Sequence, residues 1–355
     1  MNPDASSAGE TLNAPPPAVS DTEAAELARR HFGLSVSAVS PLTSERDQNL
    51  RLTDEAGQKW VMKLANPTEE PVVTDFQTQA LRHALAMDPG LPLPHVRQSL
   101  SGEFIRPVPL SDGRTSAMRV FSWVEGQPLV HAPSSALQRR NLALCHARLT
   151  RAFQGFSHPG QHLWLQWDSS NIDRCAGLIG DIEGEDNRAR VAAVLQDFAQ
   201  IAKPAMAGMR RQVIYNDLNF HNVLVNPAAP DQITGIIDFG DIVTAPMVND
   251  LAVAASYQFG TTGDCQAAGE FIAVWTQALP LTEAEIDLLP LLIEARLALT
   301  LLITFYRAHR YPENAPYILR NNQPARAALA VLRNRPAAEN AAWIRSVTHT
   351  AERTA

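Results

Sequence analysis

Tyr215-Asn216-Asp217-Leu218-Asn219-Phe220-His221-Asn222, answered further on by Ile237-Asp238-Phe239-Gly240-Asp241, is the part of the chain that decides how the rest is read. Between the two polar segments lie two short apolar runs, Val223–Val225 and Ile233–Ile237, which read as paired strands with Pro227–Asp231 as their turn. Any one of these Asp or Asn residues alone reads as turn punctuation. Together they are a chemical set. An Asp can orient a hydroxyl and take its proton, and an Asn five residues on plus an Asp across the hairpin offer hard oxygens to Mg²⁺. That is the set phosphoryl transfer requires. The spacing therefore predicts Asp217 as a base and Asn222 and Asp238 as metal ligands.

Upstream, Ser20 and Glu23 fit a capping box for a helix over Ala24–Phe32, which Gly33 ends. Ser35–Pro41, Asn49–Thr53 and Lys59–Ala65 read as three antiparallel strands, with a turn at Asp54–Gly57. Thr74–Met87 reads as a helix and Thr115–Val124 as a further strand. Lys63 sits in the apolar strand Trp60-Val61-Met62-Lys63-Leu64, and a lysine there needs a partner or an anionic ligand such as nucleotide phosphates. Ser134 or Ser135 can cap a helix reaching about Phe153, a second helix covers Asn187–Ala202, and the chain from Asp250 onward is mainly helical. The expected architecture is α+β and bilobal: a tail over 1–20, a sheet-rich lobe over 21–122, and a larger, mostly helical lobe over 123–345.

Bulk properties narrow the partners. The chain has 355 residues, enough for two cores, and its net charge of -7 argues against broad contact with a nucleic-acid backbone. The tail, Met1–Ser20, has neither a basic nor an apolar signal region and is expected to be disordered. Cys145, Cys175 and Cys265 form no paired spacing, as expected of reduced thiols in the cytoplasm. Ile286–Tyr306 is apolar, but Pro290, Glu294 and Arg296 interrupt it, so it reads as a buried helix and not as a membrane span. Arg296 then needs an anion. Its helical neighbours Leu292, Ile293, Leu299 and Thr300 include no acid, which leaves a tertiary partner such as Asp241 or Asp250, or the carboxylate of an amino-acid acceptor. Asp250, in Asn249-Asp250-Leu251, reads as the N-cap of a helix over Leu251–Tyr257.

On Ser44-Glu45-Arg46-Asp47-Gln48-Asn49, on Asp217-Leu218-Asn219 with Asn222, and on Asp238-Phe239-Gly240-Asp241, the chain resembles the aminoglycoside phosphotransferase and choline kinase family, and within it the hydroxylysine kinases and their bacterial relatives. The resemblance runs from about Asp21 to about Leu332. It implies a protein-kinase-like fold with ATP or GTP and Mg²⁺ in the cleft between the lobes, and a small-molecule hydroxyl as acceptor. It implies Lys63 on the phosphates, helped by Ser44 or Gln48, and backbone groups over Phe121–Val124 on the nucleobase. Asp217 is then the base and Asn222 and Asp238 the metal ligands, with Asp168, Asp241 and Arg296 as acceptor-site candidates. The implied acceptor is 5-hydroxylysine or another hydroxy amino acid or amino alcohol. Homoserine, choline, ethanolamine and aminoglycosides are alternatives, and a catalytically inactive nucleotide-binding module is the competing class. Two departures stand out. Tyr215-Asn216-Asp217 replaces the family's His-Gly-Asp, and the turn over Ser44–Asn49 has no glycine. The helix that usually supplies an acid to the lysine offers Asp75, Gln77 or Gln79.

Overall fold

A computed structural model describes residues 15–44, 46–260 and 263–349. Most of the predicted tail and Glu45 of the first turn lie outside the described residues. The chain divides into two compact units. One holds the described residues up to Ala86 together with Pro92–Glu125 and His158–Leu163; the other holds Met87–Leu91, Gly126–Ser157 and the described residues from Trp164 onward.

The first unit begins with helix α1 (Asp21–Phe32), started by the Ser20/Glu23 capping box and ended by Gly33 at φ 64°. Strands β1 (Val36–Leu42), β2 (Gln48–Asp54) and β3 (Lys59–Leu64) lead to helix α2 (Pro71–Met87), and β4 (Arg106–Pro109) and β5 (Thr115–Ser122) complete an antiparallel sheet of order β1-β2-β3-β5-β4. The sequence reading missed β4 because of Pro107 and Pro109. At the sheet edge their missing N–H groups leave no ladder bond unmade. Trp60, Met62 and Leu64 of β3 join Leu50, Leu52, Met118, Val120, Leu27 and Phe32 in one core. Strand alternation puts Lys63 on the opposite face. The end of the expected tail is held down: Val19 is buried in this core, and its backbone N–H and C=O both bond the Gln48 side chain at 2.8 and 2.9 Å.

The second unit opens with β6 (Gln127–Pro128), followed by α3 (Ala136–Ala152), capped by Ser135. Helix α4 (Glu185–Asp197) runs into a single π turn at Phe198–Ala202. Strands β7 (Arg211–Ile214), β8 (Val223–Asn226), β9 (Ala229–Ile236) and β10 (Val243–Pro246) make two small sheets, β6-β8-β9 and β10-β7. Asn226 pairs with Ala229, so the hairpin turn is Pro227-Ala228 and not the longer Pro227–Asp231; register shifts between Leu224 and Asn226 absorb the extra residues. Helices α5 (Met247–Ser256), α6 (Cys265–Ala278), α7 (Glu283–Arg310), α8 (Asn322–Arg333) and α9 (Ala337–His349) follow. Helix α7 is long and apolar enough to cross a membrane, but its most apolar window is 94% buried inside the protein, as the sequence predicts for a core helix.

Segment His158–Leu163 packs into the first unit through α2. His158 stacks on Phe76 and lies 3.1 Å from Asp75 through Nε2, while its Nδ1 accepts the Gly160 N–H. A Cβ on Gly160 would stand 2.7 Å from the Val72 carbonyl oxygen. Gly160→Ala is therefore expected to destabilise the protein by about 1–3 kcal/mol in urea unfolding, the range for overpacking, where an unhindered Gly→Ala change would stabilise it.

Candidate active site

Among the described residues only two non-glycines have positive φ, and both belong to the polar segments: Asn216 at 65° and Asp238 at 60°. Asn and Asp are the residues that adopt this conformation at least cost. Asn216 is held in it from three directions. Its backbone N–H donates to Asp250 Oδ1 at 2.9 Å, and its Nδ2 donates to the carbonyls of Asp241 (3.1 Å) and Trp167 (3.4 Å).

Asp250 is consequently not the cap the sequence suggests. Helix α5 starts earlier, at Met247, which puts Asp250 inside its first turn with its carboxylate buried. Thr150 Oγ1 donates to its Oδ2 at 2.6 Å, and His146 Nε2 lies 3.4 Å from its Oδ1. His146 Nδ1 accepts the Trp275 indole N–H at 3.2 Å, so the ring proton sits on Nε2, toward Asp250. Burial alone would raise the Asp250 carboxyl; His146, Thr150 and the Asn216 N–H outweigh it and hold the group below its ordinary value.

Fixing Asn216 aims the next side chain. Asp217 Oδ2 accepts from Asn222 Nδ2 at 2.7 Å and Asn219 Nδ2 at 2.8 Å, and its Oδ1 lies 3.3 Å from Arg296 Nη2. Sixteen per cent of the Asp217 side chain remains exposed. Burial pushes its carboxyl up to about 7, with the charge of Asp241 adding and that of Arg296 opposing. Ile237 N–H bonds the Asn222 carbonyl at 2.9 Å, so Asn222 and Asp238 leave the same end of the β8–β9 hairpin. With Asn222 Nδ2 given to Asp217, its amide oxygen is the atom it offers a cation, and Asp238 is exposed. An amide oxygen and a carboxylate are a donor set that fits Mg²⁺ completed by phosphate and water. Tyr215, in place of the family histidine, sends its hydroxyl to the Ile237 carbonyl and sets its ring edge-on to Phe239.

In the first unit, Lys63 Nζ lies 3.0 Å from Asp47, a residue of the β1–β2 turn. The residues expected from α2 have other contacts: Asp75 bonds His158 and Gln79, and Gln77 Oε1 accepts from Arg119 Nη1 at 3.1 Å. Arg119 stands opposite Lys63 on β5. Asp47 also accepts the Asn66 N–H at 2.9 Å, which fixes the turn. Neither Asp47 nor Arg119 was singled out in the sequence, because neither pairing follows from local spacing. Ser44 is exposed. Gln48, expected on phosphate, is instead committed to Val19. The N–H groups of Ser122 and Trp123 are taken by His95 and Lys59 carbonyls. Val124 makes no backbone hydrogen bond to a described residue.

Two acceptor-site candidates are engaged inside the fold. Asp168 is buried and caps the 3₁₀ segment Ser169–Asp181, its oxygens accepting from Ser170 N and Asn171 Nδ2. Arg296 pairs with Asp217, and not with Asp241, Asp250 or an open surface. The Asp168 contacts are local, two and three residues on, whereas the partner of Arg296 lies 79 residues away.

Residues 38–286 match the family model described as the phosphotransferase enzyme family. The chain belongs to that family. It is similar to the hydroxylysine kinases of Mus musculus (26% identical, 85% of this chain and 86% of the relative) and Danio rerio (24%, 85% and 88%). Its fold is that of a microcompartment-associated aminopropanol kinase (TM-score 0.69, 18% identity, 92% of this chain and 99% of the other). It is also that of an amicoumacin kinase solved with AMP-PNP and Ca²⁺ (TM-score 0.63, 13%, 90% and 96%). The protein is thus a small-molecule kinase of the phosphotransferase family, with the protein-kinase-like fold the sequence predicts.

For this phosphotransferase, Asp250→Ala is expected to cost about 2–5 kcal/mol near neutral pH, because it strands the Asn216 N–H and His146 in the core. The Asp250 carboxyl is depressed below its ordinary 3.8, so its contribution is full above that value and drains as pH falls through the lower folded one. Urea unfolding should accordingly show a smaller gap between wild type and variant at about pH 3 than at about pH 7.

Proposed function

We propose that this protein is a magnesium-dependent kinase that moves the γ-phosphoryl group of ATP or GTP to the hydroxyl of a small hydroxy amino acid or amino alcohol, with 5-hydroxylysine the first candidate. The observation that carries the reading is the Asp217 carboxylate, fixed by Asn219 and Asn222 beside the Asp238 end of the hairpin. The relatives named hydroxylysine kinase support the choice of acceptor.

In this reading Asp217 orients the acceptor hydroxyl and takes its proton as the new O–P bond forms and the bond to the β-phosphate breaks, releasing a nucleoside diphosphate. Asn222 Oδ1 and the Asp238 carboxylate would hold Mg²⁺, which when bound offsets phosphate charge. Lys63 and Ser44 serve the phosphates. The backbone N–H and C=O of Val124, after Phe121 and the rest of β5, serve the nucleobase. Asp241, whose charge acts on Asp217, favours an acceptor carrying an ammonium group. The three cysteines are free thiols, in keeping with a cytoplasmic enzyme.

The test is diphosphate release by purified protein with Mg²⁺ and ATP or GTP, against 5-hydroxylysine, homoserine, choline, ethanolamine and kanamycin. Release above the no-acceptor blank is expected with 5-hydroxylysine; release with none of them supports the inactive-module reading. Asp217→Asn should lower turnover by about 10²–10⁴ while nucleotide affinity stays close to wild type. Asp238→Ala should lower both turnover and Mg²⁺-nucleotide affinity, seen as a rightward shift in a Mg²⁺ titration.

A further inference from the structure

Arg296 is among the largest fully buried side chains of the protein, at 1% exposure, in the middle of α7. Both Nη atoms of its guanidinium are directed by the fold, while its buried Nε has no hydrogen-bond partner among the described residues. Nη1 donates to the Trp167 carbonyl at 3.0 Å; Nη2 donates to the Tyr257 hydroxyl at 3.0 Å and faces Asp217 Oδ1 at 3.3 Å. The Trp167 and Tyr257 rings lie 5.3 and 5.9 Å from its central carbon, close enough to add cation–π attraction. At 1% exposure the guanidinium presents almost no surface to a carboxylate arriving from solvent.

We infer that Arg296 is a positioning residue for Asp217, holding Oδ1 from one side while the Asn219 and Asn222 amides hold Oδ2 from the other. The inference rests on the proposed role of Asp217 as base. A carboxylate on a short side chain gripped at both oxygens keeps one rotamer, and a base held in one place meets the acceptor hydroxyl without first being ordered. Misplacement by about 1 Å costs on the order of 10²-fold in rate. The Trp167–Tyr257 frame holds the guanidinium in turn. Arg296 thus acts on the chemical step and not on capture of the acceptor.

The experiment compares Arg296→Met, Arg296→Lys and Tyr257→Phe, each alone and in the Asp217→Asn background, using Mg²⁺-ATP and 5-hydroxylysine or whichever acceptor of the panel above is turned over. Circular dichroism and thermal melts establish that each variant is folded. Arg296→Met is expected to lower kcat by about 10- to 100-fold, with KM for acceptor and nucleotide within about threefold of wild type. Arg296→Lys should recover part of that loss, and Tyr257→Phe, which removes one anchor of the guanidinium, should lose kcat in the same direction by a smaller factor. In the Asp217→Asn background the Arg296 substitutions should add almost nothing, because residues acting as a unit are non-additive.

A selective rise of about tenfold or more in acceptor KM with kcat retained would overturn the inference in favour of Arg296 as an acceptor anchor. Additive losses in the Asp217→Asn background, or a lowered melting temperature with unchanged kinetics, would overturn it in favour of a structural role. Should Arg296→Met fail to fold, unchanged kcat in both milder variants overturns it equally. Failure of the underlying reading looks different: Asp217→Asn alone would then keep near-native turnover, or no acceptor of the panel would be turned over by the wild type.

Discussion

Asn216 is where the backbone is bent against its preference, and the bond from its N–H to Asp250 is what holds it there. A left-handed residue turns the chain sharply, so the side chain that follows it leaves in a direction a regular strand would not allow. Asp250 is in turn fixed by helix α3, through Thr150 and His146, and His146 by Trp275 of α6. Three helices therefore converge on one peptide N–H. A buried carboxylate is costly to desolvate, and this one is tolerated because its oxygens meet a hydroxyl, a backbone N–H and an imidazole.

The second constraint is charge. Burial first, then the charges of Asp241 and Asp238, lift the Asp217 carboxyl against the opposing charge of Arg296. Three acids gathered in this way require a cation, and the fold supplies one permanently, Arg296, from the interior of α7. A guanidinium stays charged when desolvated where an ammonium would release its proton, so arginine is the side chain that can serve from inside an apolar helix. This explains why so apolar a helix carries an arginine at its centre. The remaining negative charge suits the Mg²⁺ and the ammonium-bearing acceptor proposed for it.

The sequence was readable wherever the controlling interactions are local. Asp217 and Asn222 lie on one turn and Asp238 across one hairpin, so their spacing alone brings them together; the alternation in β3 likewise sets Lys63 apart from the core. The Ser20/Glu23 box and Gly33 bound α1 from a few residues of sequence. Readings failed where partners are far apart. Asp250 looks like a cap because a cap and a first-turn acid differ by only a few residues of register, and the partners of its carboxylate, Asn216 N–H, Thr150 and His146, lie 34 or more residues away. Gln48 looked like a phosphate ligand until Val19, 29 residues earlier, claimed both ends of its amide. The strand at Arg106–Pro109 was hidden by prolines that only an edge position makes harmless.

The same device is used twice in the chain. Lys63 is gripped by Asp47, itself tied to the Asn66 N–H, much as Asp217 is gripped by Arg296, itself tied to Trp167 and Tyr257. In each pair a charged side chain with a proposed chemical role is matched to an opposite charge with further anchors of its own. The match lowers the cost of holding a partly buried charge and removes the rotamer freedom of a flexible side chain. It also accounts for a first turn that contains no glycine. A glycine-rich turn gains its shape from backbone freedom, whereas Asp47 and Asn66 fix this one through side chains, with Asn66 Nδ2 bonding the Arg46 carbonyl at 3.2 Å. The turn and the lysine are thereby ordered by one carboxylate, so a change at Asp47 acts on both together.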